Sequence, residues 1–465
     1  VFNLLMAERR RMFGTAGIRG VTNAGITPEL AMRLARAYAT WLHRNKKTGS
    51  VAVAHDTRYG AEMLARAAAS GFAASGMHVQ YYGCLPTGAF SLNVARTGQE
   101  GGLLVTGSHM PPDRIGLLLI DREGAVCPFG TTDAVEEILE SDDPREVAPP
   151  EIGRLEDAFH PFELYVSECM QAVDASLCRS RKYKVAVDPA NGAACLVAKE
   201  FFQWLGCDVT LLHFDPNPVP DRPSEPRATT VGAAIDAVRR GKCDLGICFD
   251  VDADRVLFID ADGLPLSEDT AGAILAASIL RKDDVCVVPV NSSGLIEQVC
   301  GPIGARLEYC EVGQPPEVEA IRKHDARFCY EESGKYYFPP RFLWADGLYS
   351  AARMIELMAK SGKTLAELAQ PFPCYHQVKR NVPVDDARKD AALETAVQRL
   401  ATRLVEGRAR DLTVDGFKRI YEDHSWLLLR KSGTEPLIRV YSDAPSAARA
   451  EELAREGERL LRECL

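Results

Sequence analysis

One arrangement of segments recurs three times in this chain and restricts what it can fold into. The apolar run S-V-A-V-A-H-D (50–56) leads into the helical stretch A-E-M-L-A-R-A-A-A-S-G-F-A-A-S-G (61–76), and M-H-V-Q-Y-Y-G (77–83) follows directly. The same order returns in K-V-A-V-D-P (184–189), A-A-C-L-V-A-K-E-F-F-Q-W-L-G (193–206) and C-D-V-T-L-L-H-F (207–214). It returns again in D-V-C-V-V-P-V (284–290), S-G-L-I-E-Q-V-C-G-P-I-G (293–304) and A-R-L-E-Y-C-E-V-G (305–313). Each is strand, helix, glycine, strand: a crossover between parallel strands in which glycine ends the helix. A further helix and third strand follow in each unit, and a polar loop ends that strand: T-G-S-H-M-P-P, D-V-D-A-D-R and E-E-S-G-K. Ligands of open α/β sheets gather outside the carboxyl ends of strands, so three such loops imply one shared cleft.

At 465 residues the chain exceeds a single core. The acidic, proline-bearing stretch E-S-D-D-P-R-E-V-A-P-P (140–150) reads as a linker, and beyond Pro371 separated strands and two amphipathic helices replace the crossover pattern. The expected domains are 1–148, 149–263 and 264–370, all α/β, and a smaller α+β domain over 371–465. With 65 acidic against 55 basic residues the net charge is −10, which argues against a general nucleic-acid binder. The fourteen cysteines show no C-x-x-C spacing and read as free, mostly buried thiols of a reducing compartment. No stretch is long and apolar enough for a bilayer span, and the first eleven residues do not have the layout of a signal peptide, so the expected location is the cytoplasm. Residues 1–11 read as a frayed leader or a misplaced start, since patterned sequence begins at Met12.

The loops carry the chemistry. Asp250, Asp252 and Asp254 recur every second residue after L-G-I-C-F, so three carboxylates can converge on one hard cation. Oxygen-only donors favour Mg²⁺ over zinc or copper, and the alternative is a solvated acidic turn. Arg255 can offset the charge and reach a phosphate. R-K-S-G-T-E-P (430–436) concentrates donors suited to a phosphate dianion, or is a plain hairpin turn. E-E-S-G-K offers paired acceptors for sugar hydroxyls, or is a surface turn. Arg19, in the glycine-rich F-G-T-A-G-I-R-G (13–20), and Arg58, in H-D-T-R (55–58), could each bind phosphate or pair with a carboxylate. Ser108 lacks the G-x-S-x-G elbow of hydrolases. His109 is adjacent to it and neighbouring strand residues face opposite ways, so a Ser-His dyad is disfavoured.

In this order along the chain, F-G-T-A-G-I-R-G, T-G-S-H-x-P, D-V-D-A-D-R, E-E-S-G and R-K-S-G-T-E-P-L-I-R-V-Y resemble the α-D-phosphohexomutases, from Met12 to the C-terminal helix. The resemblance implies three repeated mixed α/β domains and a fourth of TATA-binding-protein-like fold around a central cleft. It implies an intramolecular phosphotransferase that interconverts hexose 1-phosphate and 6-phosphate (glucose or mannose, with glucosamine close behind). The steps pass through a phosphoserine and a bisphosphate intermediate. Catalytic roles fall to Ser108, His109, Arg19 and Lys335. One Mg²⁺ per chain is assigned to Asp250, Asp252, Asp254 and a Ser108 phosphoryl oxygen. Sugar contacts go to Arg58, Arg255, Glu331, Ser333 and Lys335, and a phosphate clamp to Arg430, Lys431, Ser432, Gly433, Thr434 and Arg439. The expected partners are phosphosugar substrates and an activating sugar bisphosphate, with no nucleic acid or membrane, in a monomer or homodimer.

The phosphoserine loop departs from the family form S-H-N-P-x-x-Y-N-G-x-K at Met110, Arg114, Ile115 and Leu118. Met110, Asp113 and Arg114 match a subgroup reading S-H-I-P-x-D-R-N-G-L-K, and Val251 alters no ligand. Leu118 stands where the family's proton-transferring lysine does, and Lys335, where histidine or glycine is usual, is the candidate replacement if its pKa is lowered. Ile115 and Leu118 motivate one rival, a weakened or non-catalytic phosphosugar-binding homologue; the atypical sugar loop leaves a phosphopentomutase open, and a cleft that leaks water would make the protein a phosphatase.

Overall fold

A computed structural model describes residues 12–14, 17–401, 409–432 and 435–465. The chain forms two compact units: Val1–Pro265 with Gly313–Glu319 and Lys335–Leu365, and Leu266–Val312 with Ala320–Gly334 and Ala366–Leu465.

The first unit holds two sheets built on one connectivity. In the first, Ser50–His55 lies parallel to both His78–Cys84 and Gly101–Thr106, and Arg114–Asp121 returns antiparallel beside Gly101–Thr106. Ile18–Val21 and the short Leu155–Asp157 complete the six strands at either edge. In the second, Lys184–Asp188 is parallel to Asp208–Leu211 and Leu245–Phe249, with Val256–Ile259 antiparallel beside the latter. Strands in the middle of such sheets are covered on both faces and read as unbroken apolar runs. On the first sheet Val51, Val53, Leu103, Val105, Leu117 and Leu119 meet Leu34, Tyr38, Leu64 and Phe72 from the helices Pro28–Arg44 and Ala61–Ala74. Each such side chain, fully buried, contributes about 1.5–3 kcal/mol.

The run expected as one helix after Lys184–Asp188 is instead a 3₁₀ turn, Ala193–Leu196, followed by the helix Ala198–Trp204. The N–H of Ala193, which a helix start leaves free, is donated to the Val251 carbonyl at 2.7 Å, and Val197 is turned out of helical geometry at φ −140°.

In the second unit Val285–Pro289 is parallel to Arg306–Cys310 and Phe328–Glu331, which repeats the first three strands of the connectivity above. The C-terminal part is a five-stranded antiparallel sheet in the order His376–Pro383, Leu437–Ala444, Trp426–Lys431, Phe417–Tyr421, Ala409–Leu412. Along Trp426–Lys431 the side chains alternate. Leu427 and Leu429 share a core with Ala392, Ala396, Leu460 and Leu461 of the helices Asp386–Ala401 and Ala447–Arg462, while Trp426 and Leu428 pack with Val290 on the other face. Lys418 is buried on that second face, its ammonium over the rings of Tyr309 (4.6 Å) and Trp426 (4.2 Å) and donating to the Ser292 carbonyl. All fourteen cysteines are free thiols. Among the described residues no helix is long and apolar enough to cross a membrane.

Candidate active site

The carboxyl ends of Gly101–Thr106 and Leu245–Phe249 bring the serine loop and the aspartate loop together in the first unit. Ser108 is 4% exposed, and its Oγ donates to Asp250 Oδ2 at 3.0 Å. One oxygen from each of Asp250, Asp252 and Asp254 lies within 4.8 Å of the others, and all three residues are buried. Burial together with Asp252 and Asp254 pushes the Asp250 carboxyl well up, and burial together with Asp254 raises Asp252 to about 6. Burial acts the same way on Asp254, yet the charges of Lys335 and Arg255 prevail and hold it below the usual carboxylate range. Lys335 Nζ is 2.8 Å from Asp254 Oδ2, and the Trp344 indole N–H reaches the same oxygen at 3.3 Å.

The cluster fits a divalent cation. The Oδ1 atoms of Asp252 and Asp254 are buried without a hydrogen-bond partner, and the donors are all hard oxygens under mutual repulsion. A cation there relieves both.

The serine loop is held under strain. Ser108 has φ +46° and Ala253, in the facing loop, φ +56°, conformations that cost on the order of 1–3 kcal/mol and persist only where surroundings over-determine them. Asp56 Oδ2 accepts from the Gly107 N–H (2.7 Å) and Thr106 Oγ1 (3.0 Å), and the Ser108 N–H donates to Thr106 Oγ1. Thr106 also reaches Asp252 Oδ2 at 2.7 Å, and Thr87, first residue of the helix Thr87–Arg96, approaches the same oxygen at 3.1 Å. Arg58 donates to the carbonyls of Ser108 and Pro111, each at 2.6 Å. A Cβ on Gly107 would lie 2.2 Å from the Arg58 side chain, so this approach requires glycine.

His109 is not positioned as a strong partner of Ser108. Its Nδ1 is 3.5 Å from Oγ, farther than Asp250. Burial and the positive charges of Arg255, Arg19 and Lys335 lower its pKa to about 3, so the ring is neutral. Arg19 lies on the edge strand Ile18–Val21 opposite Gly116, and its charge reaches this site. Arg255 pairs with Glu225 at 2.8 Å. Ile115 and Leu118, both buried, belong to the strand Arg114–Asp121. Leu118 fills the space left by Gly17, where φ is +78° and a Cβ would come within 2.9 Å of Leu118 Cγ.

In the two remaining loops, residues 331–334 and 430–432 belong to the second unit, while Lys335 belongs to the first. Glu331 ends the strand Phe328–Glu331, Glu332 pairs with Lys379, and Ser333 Oγ is buried without a hydrogen-bond partner. Arg430 pairs with Asp415 at 2.5 Å and Lys431 with Asp390. Ser432 is buried, accepts from the Glu435 N–H at 3.2 Å, and its carbonyl takes Lys389 Nζ at 3.0 Å. Arg439 reaches Glu435 and the Tyr441 hydroxyl. Gly433 and Thr434 lie outside the described residues.

Asp56, Thr87, Thr106, Arg222, Ser224, Glu225 and Trp344 support the site but were not singled out from sequence. Of these, Asp56 is visible in the sequence as the acidic residue of H-D-T-R. The charged, proline-flanked P-D-R-P-S-E (220–225) offered a second signal.

Family models for phosphoglucomutase/phosphomannomutase match along the chain: alpha/beta/alpha domain I over residues 10–146, domain II over 163–263, domain III over 267–375, and the C-terminal domain over 380–459. A phosphoglucomutase/phosphomannomutase of Thermococcus kodakarensis is 34% identical, covering 98% of this chain and 99% of its own. A phosphoglucosamine/phosphogalactosamine mutase of Sulfurisphaera tokodaii is 30% identical, covering 96% and 98%. A crystal structure of a phosphoglucomutase/phosphomannomutase family protein from Burkholderia thailandensis shares the fold, with TM-score 0.85, 23% identity and 98% of each chain covered. These matches favour a mutase over a non-catalytic binding homologue or a phosphopentomutase. The chain belongs to the phosphoglucomutase/phosphomannomutase family of phosphosugar mutases.

Proposed function

We propose that this enzyme interconverts hexose 1-phosphate and hexose 6-phosphate, of glucose or mannose first and glucosamine second, with Ser108 as the phosphoryl carrier. The observation that carries the reading is the Ser108 hydroxyl held 3.0 Å from Asp250 inside the buried carboxylate cluster. With Ser108 phosphorylated, a hydroxyl oxygen of the sugar monophosphate bonds to phosphorus as the P–Oγ bond breaks, and the hydroxyl proton passes to Oγ. The bisphosphate so formed reorients, and the reverse exchange moves its other phosphoryl group to Oγ and the proton to the sugar oxygen left behind. Charge neutralisation of the transferring group is what Mg²⁺ supplies when bound to Asp250, Asp252, Asp254 and a Ser108 phosphoryl oxygen, one ion per chain. Phosphoryl transfer otherwise needs positioning and positive charge, which Lys335, Arg255 and Arg19 provide around Ser108. His109, neutral, serves as a hydrogen-bonding wall. Arg58 fixes the serine loop and binds substrate phosphate as the loop accepts it. Glu331 and Ser333 hold sugar hydroxyls, for which the unpartnered Ser333 Oγ is a ready group. Arg430, Lys431, Ser432, Gly433, Thr434 and Arg439 clamp the phosphate that is not being transferred. The four-part division at 148/149, 263/264 and 370/371 and activation by a sugar bisphosphate belong to the same reading.

Phosphorus NMR tests it. With Mg²⁺, catalytic sugar bisphosphate and a panel of hexose, hexosamine and pentose 1-phosphates, the hexose 6-phosphate signal grows. Ser108→Ala lowers the rate by more than about 10³-fold. Failure to isomerise any member of the panel sinks the reading.

A further inference from the structure

Residues 221–225 form a strap that touches both reactive loops of the first unit. Ser224, 7% exposed, donates its hydroxyl to the Ser108 carbonyl at 2.6 Å. Arg222, two residues earlier, bonds the Asp188 carboxylate at 2.9 Å and the carbonyl of Phe249, the residue before Asp250, at 2.6 Å. Its Nη1 also returns to the carbonyls of Pro223 and Ser224, which stiffens the strap itself. Glu225 holds the Arg255 guanidinium at 2.8 Å. Arg222, Ser224 and Glu225, three anchors within four residues, therefore fix the start of the aspartate loop, the serine backbone and the nearest arginine to one another.

The Ser108 carbonyl deserves two donors for a physical reason. Ser108 is in the left-handed region, which a residue with a Cβ leaves when it can, and rotation of its peptide toward His109 is the natural relief. Arg58 at 2.6 Å and Ser224 at 2.6 Å occupy both lone pairs of that oxygen and oppose the rotation. Arg58 is already divided between this carbonyl and that of Pro111. We propose that Ser224 is a positioning residue for phosphoryl transfer: its hydroxyl pins the Ser108 carbonyl and thereby keeps Oγ aimed at the carboxylate cluster. The inference rests on Ser108 being the carrier.

The experiment follows phosphorylation of the full-length protein by glucose 1,6-bisphosphate with Mg²⁺, sampled by rapid quench and intact-mass and peptide mass spectrometry. Wild-type protein gains one phosphoryl group on Ser108; if it gains none there, the carrier reading itself fails. Given that label, Ser224→Ala lowers the transfer rate at saturating bisphosphate by about 10- to 100-fold, as expected for misplacement of a reacting atom, with the half-saturating concentration unchanged. Ser224→Thr, which keeps the hydroxyl, recovers most of the rate. A Ser224→Ala protein that labels at the wild-type rate, or that slows only through weaker saturation, overturns the positioning role. So does a threonine variant as slow as the alanine one.

Discussion

Lys335 brings an ammonium to within 2.8 Å of Asp254, where the transferring phosphoryl group needs positive charge. Lys335→Met should lower kcat by about 10²–10³-fold, the usual cost of removing one preorganised charge stabiliser, and Lys335→Arg should restore part of it. Steady-state kinetics with the substrate found by NMR checks this, and a methionine variant at full kcat refutes it. Single residues of this site were legible in the sequence where their chemistry is local: three aspartates at alternate positions, or a serine between a strand and two prolines. Thr106 and Thr87 were not, because their meaning lies in contacts to Asp252 that span 146 and 165 positions. Leu118 was legible as a departure, but its environment was not. Only the fold shows that it packs beneath a glycine with positive φ.

At the scale of elements, the helix Gly347–Ser361 buttresses the aspartate loop. Its first N–H, from Gly347, donates to the Ala253 carbonyl at 3.0 Å, and Ala253 is one of the two strained residues. Asp346 caps that helix through the Tyr349 N–H and also accepts the Tyr165 hydroxyl at 2.8 Å. Asp346→Ala should cost about 1–2 kcal/mol from the cap alone, seen as a lower urea midpoint, whereas Asp346→Asn should keep most of it. No shift in the alanine variant would remove the cap from the account. The parallel strands were readable because burial on both faces leaves unbroken apolar runs between glycines, whereas the antiparallel returns Arg114–Asp121 and Val256–Ile259 were not, since pairing direction leaves no mark on such runs. The break at Val197 was not, since the run 193–206 keeps a helical pattern while its first N–H is taken by a carbonyl 58 positions away.

Across the molecule, acid–base balance reaches beyond the catalytic loops. Burial pushes the Lys418 amine down to about 7 from the ordinary 10.5, with Glu297, Asp443 and Asp269 opposing the shift and Arg410 adding to it. Between those two values the unfolded chain holds a proton that the folded protein lacks, so Lys418 makes stability rise with pH across that window. Below about 7 its penalty is complete. Urea midpoints should therefore climb from neutral pH to about 9, and Lys418→Met should flatten the climb. An unchanged slope in the variant would assign the effect elsewhere. Sequence alone ranks Lys418 with any surface lysine, because its neighbours Tyr309 and Trp426 come from other strands. The repeated connectivity has a different consequence. Both reactive loops are closed by antiparallel ladders, Thr106 opposite Gly116 and Phe249 opposite Val256, so each is a leash of fixed length. A residue inserted in either leash would move the reacting atoms even with every side chain of the site kept. An insertion in a connection such as 142–148, which belongs to neither loop, carries no such penalty.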